Sequence, residues 1–247
     1  MKSYKTMLKT ELKLSLRGMD MLIFAVIMPI MVLVMLGIIY GNKPAFEGAS
    51  YTFIQQSFGA LASIAICAGG VMGLPLVISD YRYKQILKRF KVTPISPVTI
   101  LLVEVTIYFL YALISLLTLF SVAMVFFGFK MQGSILEFML GWILVLVSMF
   151  SIGMMVGGIS KNSKVAGVIA SVLYFPMLIF SGATIPYEVM PSTMQTVVDI
   201  LPLTQGIKIL KFATLGLPVE HVLLSIIVMT IIALICSFVA IRFFKWE

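Results

Sequence analysis

Few side chains in this chain are of a type that could do chemistry, and their spacing excludes most of it. Glu104 stands inside an apolar run, two turns beyond Pro97. A carboxylate in that setting is a functional candidate, for a proton relay or an ion site. It lies near the end of the run, within reach of headgroups or a neighbouring basic residue, so a structural ion pair is the simpler expectation. The one histidine, His221, reads as an interfacial residue, and Cys67 and Cys236 both lie in apolar runs. These three can build neither a zinc site nor a disulfide framework, and one imidazole leaves little scope for acid–base catalysis. Gly153 to Gly158 has the four-residue gap of a phosphate loop, but continues Ile159-Ser160 where Lys and Ser or Thr are required. The chain reads as no enzyme, and driven work would take its energy from a partner.

The densest chemistry is positive charge. Residues 80–97 read Asp-Tyr-Arg-Tyr-Lys-Gln-Ile-Leu-Lys-Arg-Phe-Lys-Val-Thr-Pro-Ile-Ser-Pro and hold five of the chain's 18 Lys and Arg. As a short helix this segment offers Ile86, Leu87 and Phe90 as apolar anchors inside a polar rim of Arg82, Lys84, Lys88 and Arg89. Thr93 to Pro97 then forms a stiff connector. Lipid, nucleic acid or protein could meet such a segment. The net charge of +8 is not gathered on a separate domain. Basic residues sit at the ends of apolar runs, which points to membrane lipid and a protein partner and away from nucleic acid.

The elements that must position these residues are membrane helices. The chain is 61% hydrophobic and 11% charged, whereas a soluble domain carries roughly a quarter charged residues. Its apolar runs are long enough to cross a hydrocarbon core of about 30 Å, and they are continuous rather than alternating, which selects helices over a barrel. The fold class is therefore an all-α integral membrane protein with six transmembrane helices. The spans fall at Met21–Tyr40, Ser57–Ser79, Val98–Phe127, Ile135–Ile159, Val165–Ile185 and Val222–Phe244. Before the first, Lys5, Lys9, Lys13 and Arg17 run beside Tyr4, Leu8, Leu12 and Leu16 at a spacing of four, an interfacial amphipathic helix over residues 1–20. Met21–Tyr40 is too long for a signal core and reads as an uncleaved span with a kink at Pro29.

Lysines and arginines set the orientation. Lys2, Lys5, Lys9, Lys13, Arg17, Arg82, Lys84, Lys88, Arg89, Lys91, Lys161, Lys164, Arg242 and Lys245 fall on one side, against Lys43, Lys130, Lys208 and Lys211 on the other. The rule that cytoplasmic loops are positive places both termini and the 80–97 segment in the cytoplasm. The second span is rich in small residues, among them Gly59, Ser63, Cys67, Gly70 and Gly73, and the fourth repeats the device with Gly141, Ser148, Gly153 and Gly157. Such stripes let helices pack closely, within one chain or against a conduit or partner subunit. In the outer segment 186–221, Pro191 opens a short helix. Met194, Val197, Val198 and Leu201 form its apolar face, with Gln195, Thr196 and Asp199 opposite. A second short helix spans Gln205 to Phe212, and both are expected to dip into the outer leaflet.

Three features together resemble the membrane subunits of type-2 ABC transporters, the permease family that includes bacterial drug, antibiotic and polysaccharide exporters. They are the interfacial helix running into span one, the basic helix Leu87-Lys88-Arg89-Phe90-Lys91-Val92 with its Thr93-Pro-Ile-Ser96 turn, and Phe180-Ser-Gly-Ala-Thr-Ile-Pro186 followed by Pro191 and Leu201-Pro-Leu-Thr204. One place departs. The family commonly has an acidic residue and then Gly-Thr before the helix leucine, where this chain has Tyr83 and Gln85-Ile86. Asp80, one turn earlier, is the acidic group that could serve instead.

The resemblance implies a single permease domain over residues 1–247 in a bacterial cytoplasmic membrane. Asp80, Arg82, Tyr83, Lys84, Ile86, Leu87, Lys88, Arg89 and Phe90 would contact a separate ABC-type ATPase, which would bind ATP and Mg; this chain would hold no cofactor and no metal. A second permease copy or a sister permease would face it. Ser63, Cys67, Gly70, Tyr174, Phe175 and Phe180 would line the path, and Ser181, Gly182 and Pro186 the outer gate. Export of an amphipathic drug, peptide or lipid-like substrate follows as the expected activity. An ion-coupled secondary transporter and a membrane-embedded lipid-modifying enzyme are the alternatives.

Overall fold

The structure, a computed structural model, describes residues 2–41, 43–45, 48–86, 97–182, 187, 190–218 and 222–243. Nine helices account for nearly all of them: α1 Lys2–Gly18, α2 Ile23–Tyr40, α3 Phe53–Tyr83, α4 Pro97–Phe127, α5 Ile135–Ile159, α6 Ser163–Phe180, α7 Ser192–Val198, α8 Pro202–Leu215 and α9 Leu223–Phe243. Six of these, α2 to α6 and α9, are long and apolar enough to cross a membrane, as the hydropathy of the sequence requires. The chain is an all-α integral membrane protein with about six spans.

Span alternation leaves α1, the end of α3 and the start of α4 together at one end, called here the basic end. The short α7 and α8 lie at the other, the distal end. Local chemistry sets the boundaries. Thr52 Oγ1 accepts from the backbone of Gln55, while Thr52 N–H donates to Gln55 Oε1 at 2.8 Å, a reciprocal cap that starts α3 several residues before Ser57. Asn162 Oδ1 accepts from Val165 N at 2.9 Å and opens α6. Pro202 takes the first turn of α8, where its missing N–H is no loss, and Gly216 closes that helix in the left-handed conformation at φ +68°.

Two spans are widened by π-helical stretches, and each stretch precedes a proline. Ile23–Ile27 comes before Pro29, and Ala68–Gly73 before Pro75. A proline ring displaces the carbonyl four residues back, and the wider π turn takes up that displacement. The kink expected at Pro29 has this form.

Of the six spans α3 is the most enclosed, and α6 the least. Helix α3 is ringed by α2, α4, α5, α6 and α8. At the distal end Phe58 stacks on Phe129 with ring centroids 4.5 Å apart, and Phe120 and Phe138 complete the cluster. At the basic end a second cluster joins Met7 of α1, Val26 of α2 and Ile100, Val103, Ile107 and Tyr111 of α4. Helix α1 is therefore docked on α4 by a face that includes Tyr4, Met7, Leu8 and Leu12, and its lysines at 5, 9 and 13 remain exposed.

Glycine sets how closely the spans approach. A Cβ on Gly153 would lie 1.9 Å from the Gly70 carbonyl oxygen, and one on Gly157 would lie 2.9 Å from Ile78 Cβ. On the distal half a Cβ on Gly59 would lie 2.7 Å from the backbone nitrogen of Lys211. The small residues of α3 and α5 thus pack against each other and against α8 within one chain. α8 is longer than the Gln205–Phe212 helix expected, and most of its residues are buried among α3, α5 and α9.

Candidate functional site

The basic segment is rooted in the last turn of α3. Successive residues of a helix point about 100° apart, so Asp80, Tyr81, Arg82 and Tyr83 reach in four directions. Asp80 pairs with Lys84 at 2.8 Å, one turn on. Tyr81 turns toward α1 and α4. Arg82 turns toward α5, where Nη1 donates to the carbonyls of Gly157 at 3.2 Å, Gly158 at 2.5 Å and Ser160 at 2.9 Å. Tyr83 is 66% exposed. Gln85 then leaves the helix at φ +53°, in the region that favours glycine. Gln85 belongs to the stretch where the chain departs from the family pattern it resembles. Ile86 is half-buried. Leu87, Lys88, Arg89 and Phe90, with the rest of 87–96, lie outside the described residues.

Tyr81 meets two carboxylates. Its hydroxyl lies 2.9 Å from Glu11 Oε2 and 3.0 Å from Glu104 Oε1. Glu104 is only 4% exposed. Among the described residues Glu104 forms no ion pair: its partner is the Tyr81 phenol, with a second carboxylate behind it. Two more bonds fix α1 to α4 alongside, Tyr4 to Thr106 at 2.6 Å and Ser15 to Tyr111 at 2.8 Å. Together these elements enclose a cleft of about 470 Å³, lined by Glu11, Asp80, Tyr81, Glu104 and Tyr108 among apolar residues, with Ser163 at the start of α6. The sequence reading missed Glu11 and Tyr81. The available signal was position: Glu11 falls on the apolar face of α1, three residues after Leu8 and seven after Tyr4, where a carboxylate needs a buried polar partner.

The remaining candidates lie elsewhere. Ser63, Cys67 and Gly70 are enclosed within α3's packing, and Ser63 Oγ donates to the Gly59 carbonyl at 2.9 Å. Tyr174 is buried, whereas Phe175 and Phe180 are 50% and 41% exposed. The six residues expected to line a path do not share one surface of the single chain. Ser181 is buried, Gly182 turns at φ +86°, and Pro186 lies outside the described residues.

Beyond them, a polar knot ties the distal end. Tyr187 donates to Asp199 Oδ2 at 2.9 Å, Lys208 Nζ donates to Asp199 Oδ1 at 2.6 Å and sits 4.3 Å from the Tyr187 ring centre. Gln195 donates to the carbonyls of Tyr187 and Met190, and Ser225 donates to Gln205 Oε1 at 2.7 Å. Burial, and then the bond to Asp199, push the Tyr187 phenol above its ordinary pKa, which keeps it a donor. The polar side of α7, opposite its apolar face, is thus partly taken up by Tyr187 and Lys208.

A bundle of six spans with a docked N-terminal helix and a distal helix pair is the make-up of a multi-pass membrane protein. The family model for ABC-2 type transporters matches residues 2–215, and the protein belongs to that family. Over 119 residues it is 30% identical to the inner membrane transport permease YhhJ of Escherichia coli (strain K12), and equally to the protein of that name in Shigella flexneri. The aligned part covers 48% of this chain and 32% of each relative, so the chain spans about a third of the length of the curated relatives it matches. It is a multi-pass membrane protein of a transport permease family, and membership implies an ABC-type ATPase partner in general.

Proposed function

We propose that this chain is the permease subunit of an ATP-driven exporter in a bacterial cytoplasmic membrane, with both termini and the basic end in the cytoplasm. A separate ATPase binds ATP and Mg and docks on Ile86, Leu87 and Phe90, with Tyr83, Lys84, Lys88 and Arg89 around them. A second permease copy, or a sister permease, completes the path. The substrate is an amphipathic drug, peptide or lipid-like molecule. One observation carries this reading. The most enclosed span ends in a turn bonded to α1, α4 and α5, at the start of the segment that the family resemblance assigns to the ATPase. A push on that segment has a stiff route into the bundle.

The test is reconstitution in lipid with the ATPase that co-purifies. The wild-type chain raises that ATPase's turnover, and Leu87→Asp or Phe90→Asp, still inserted in the membrane, no longer does. Intact stimulation in both variants would remove the docking assignment.

The Glu11–Tyr81–Glu104 cluster favours a second reading, ion-coupled transport, since embedded carboxylates are what such transporters use. Uptake or efflux in proteoliposomes driven by a proton gradient, with no ATPase present, would select it over the first.

A further inference from the structure

We propose that Arg82 is a positioning residue for energy coupling, which clamps the end of α5 to the end of α3 so that the two spans move as one body. This rests on the reading of residues 80–97 as the ATPase dock. The last carbonyls of an α-helix have no N–H partner of their own and carry the negative end of its dipole. The end of α5 presents the carbonyls of Gly157, Gly158 and Ser160, and Arg82 Nη1 lies within hydrogen-bond distance of all three, its two hydrogens shared among them. A cation with fixed planar donors suits this place better than a flexible ammonium.

What surrounds the clamp gives it its use. Upstream, α3 and α5 touch through Gly70 against Gly153 and through Pro75 and Ile78 against Gly157. Those contacts are close but largely nonpolar, and small-residue faces of this kind can slide. Arg82 adds a charge-assisted link at the end nearest the dock, only a few residues before residue 87. Its neighbours confirm the division of labour: Tyr83 and Lys84 are exposed, while Arg82 is partly buried against α5. The basic residues of this stretch therefore serve two purposes, some facing outward and Arg82 facing a span. With the clamp, a displacement of the dock is delivered to α5, and through it to α9, which packs along α5. Without it, α3 can shift past α5 and the stroke is lost.

The experiment uses the full chain with its co-purifying ATPase in proteoliposomes. Arg82→Gln is expected to hold the wild-type amount of ATPase while transport per ATP hydrolysed falls about tenfold, the scale of one lost charge-assisted hydrogen bond. Arg82→Lys, which keeps a cation at the helix end, is expected to recover part of the loss. A second measurement needs no Arg82 variant. Spin labels at Val77→Cys of α3 and Lys161→Cys, with Cys67 and Cys236 replaced by Ala, are expected to keep one separation between nucleotide-free and ATP-trapped states. A separation that changes in the otherwise wild-type chain, or Arg82→Gln coupling as wild type does, overturns the inference. A wild-type chain that holds no ATPase overturns the docking reading, and this inference with it.

Discussion

Gly153 of α5 rides directly on the backbone of Gly70 of α3, with room for a hydrogen and nothing larger, since a Cβ there would sit 1.9 Å from the Gly70 carbonyl oxygen. Backbone cannot rotate out of the way as a side chain can. Gly153→Ala is therefore expected to destabilise by about 3 kcal/mol or more, the upper end for overpacking. Gly167, whose Cβ would meet nothing within 4 Å, is the control. Gly167→Ala is expected to be neutral or to gain up to ~1 kcal/mol from helix propensity. Thermal denaturation in detergent compares the two, and equal midpoints would contradict the packing described.

Gln85 occupies a left-handed backbone position at φ +53°, where a side chain costs roughly 1–2 kcal/mol relative to glycine. Gln85→Gly is expected to match or exceed the wild type in stability, because relief of strain offsets the greater freedom of glycine in the unfolded chain. Gln85→Val, β-branched and stiffer, is expected to lose about 1 kcal/mol or more. If valine is tolerated as well as glycine, the turn after α3 is not left-handed. The family's glycine at this place then has a physical reason, and the chain keeps the turn without it.

Tyr81 has one hydroxyl hydrogen and two carboxylate oxygens at 2.9 and 3.0 Å. It can donate to only one, so the other contact needs a proton from the carboxyl side. Glu104→Gln supplies that donor permanently through its amide and is expected to be neutral or mildly stabilising. Tyr81→Phe leaves a buried carboxyl facing another with no hydroxyl between them, at a cost of about 1–3 kcal/mol. Hydrogen exchange in α1 is the readout. Faster exchange in Tyr81→Phe but not in Glu104→Gln is expected, and the reverse order would refute the geometry.

The six spans were legible because membrane thickness imposes a length on any apolar helix, and a run of that length leaves few other readings. Helix ends were less so. The Thr52–Gln55 cap starts α3 before its apolar run, and α6 ends at Phe180 rather than at Ile185. Side-chain partners were the least legible. Glu11 and Tyr81 are 70 residues apart and Tyr81 and Glu104 are 23 apart, and nothing local marks them as a set. A basic residue such as Arg82 contributes the same charge to the orientation argument whether it faces lipid, an ATPase or the end of α5. On α7, periodicity sets Gln195 and Asp199 opposite the apolar face. Periodicity reports that a face is polar, and cannot report that Tyr187 and Lys208 cover it.

If a second permease copy pairs with this chain, the least enclosed span, α6, is the face expected to meet it. On α6, Val165, Val168, Val172, Phe175 and Ile179 are all exposed, Val172 by 67%, while Ala166, Ala170, Tyr174 and Met177 on the opposite side are buried in the chain. The exposed set repeats three and four residues apart, the spacing that keeps one seam along a helix pair. If α6 meets its counterpart, Val172→Cys in a chain with Cys67 and Cys236 replaced by Ala forms a disulfide-linked dimer in membranes on mild oxidation. Leu234→Cys on α9, equally exposed at 66%, does not. Cross-linking at Leu234 and none at Val172 would move the interface to α9 and leave α6 facing lipid.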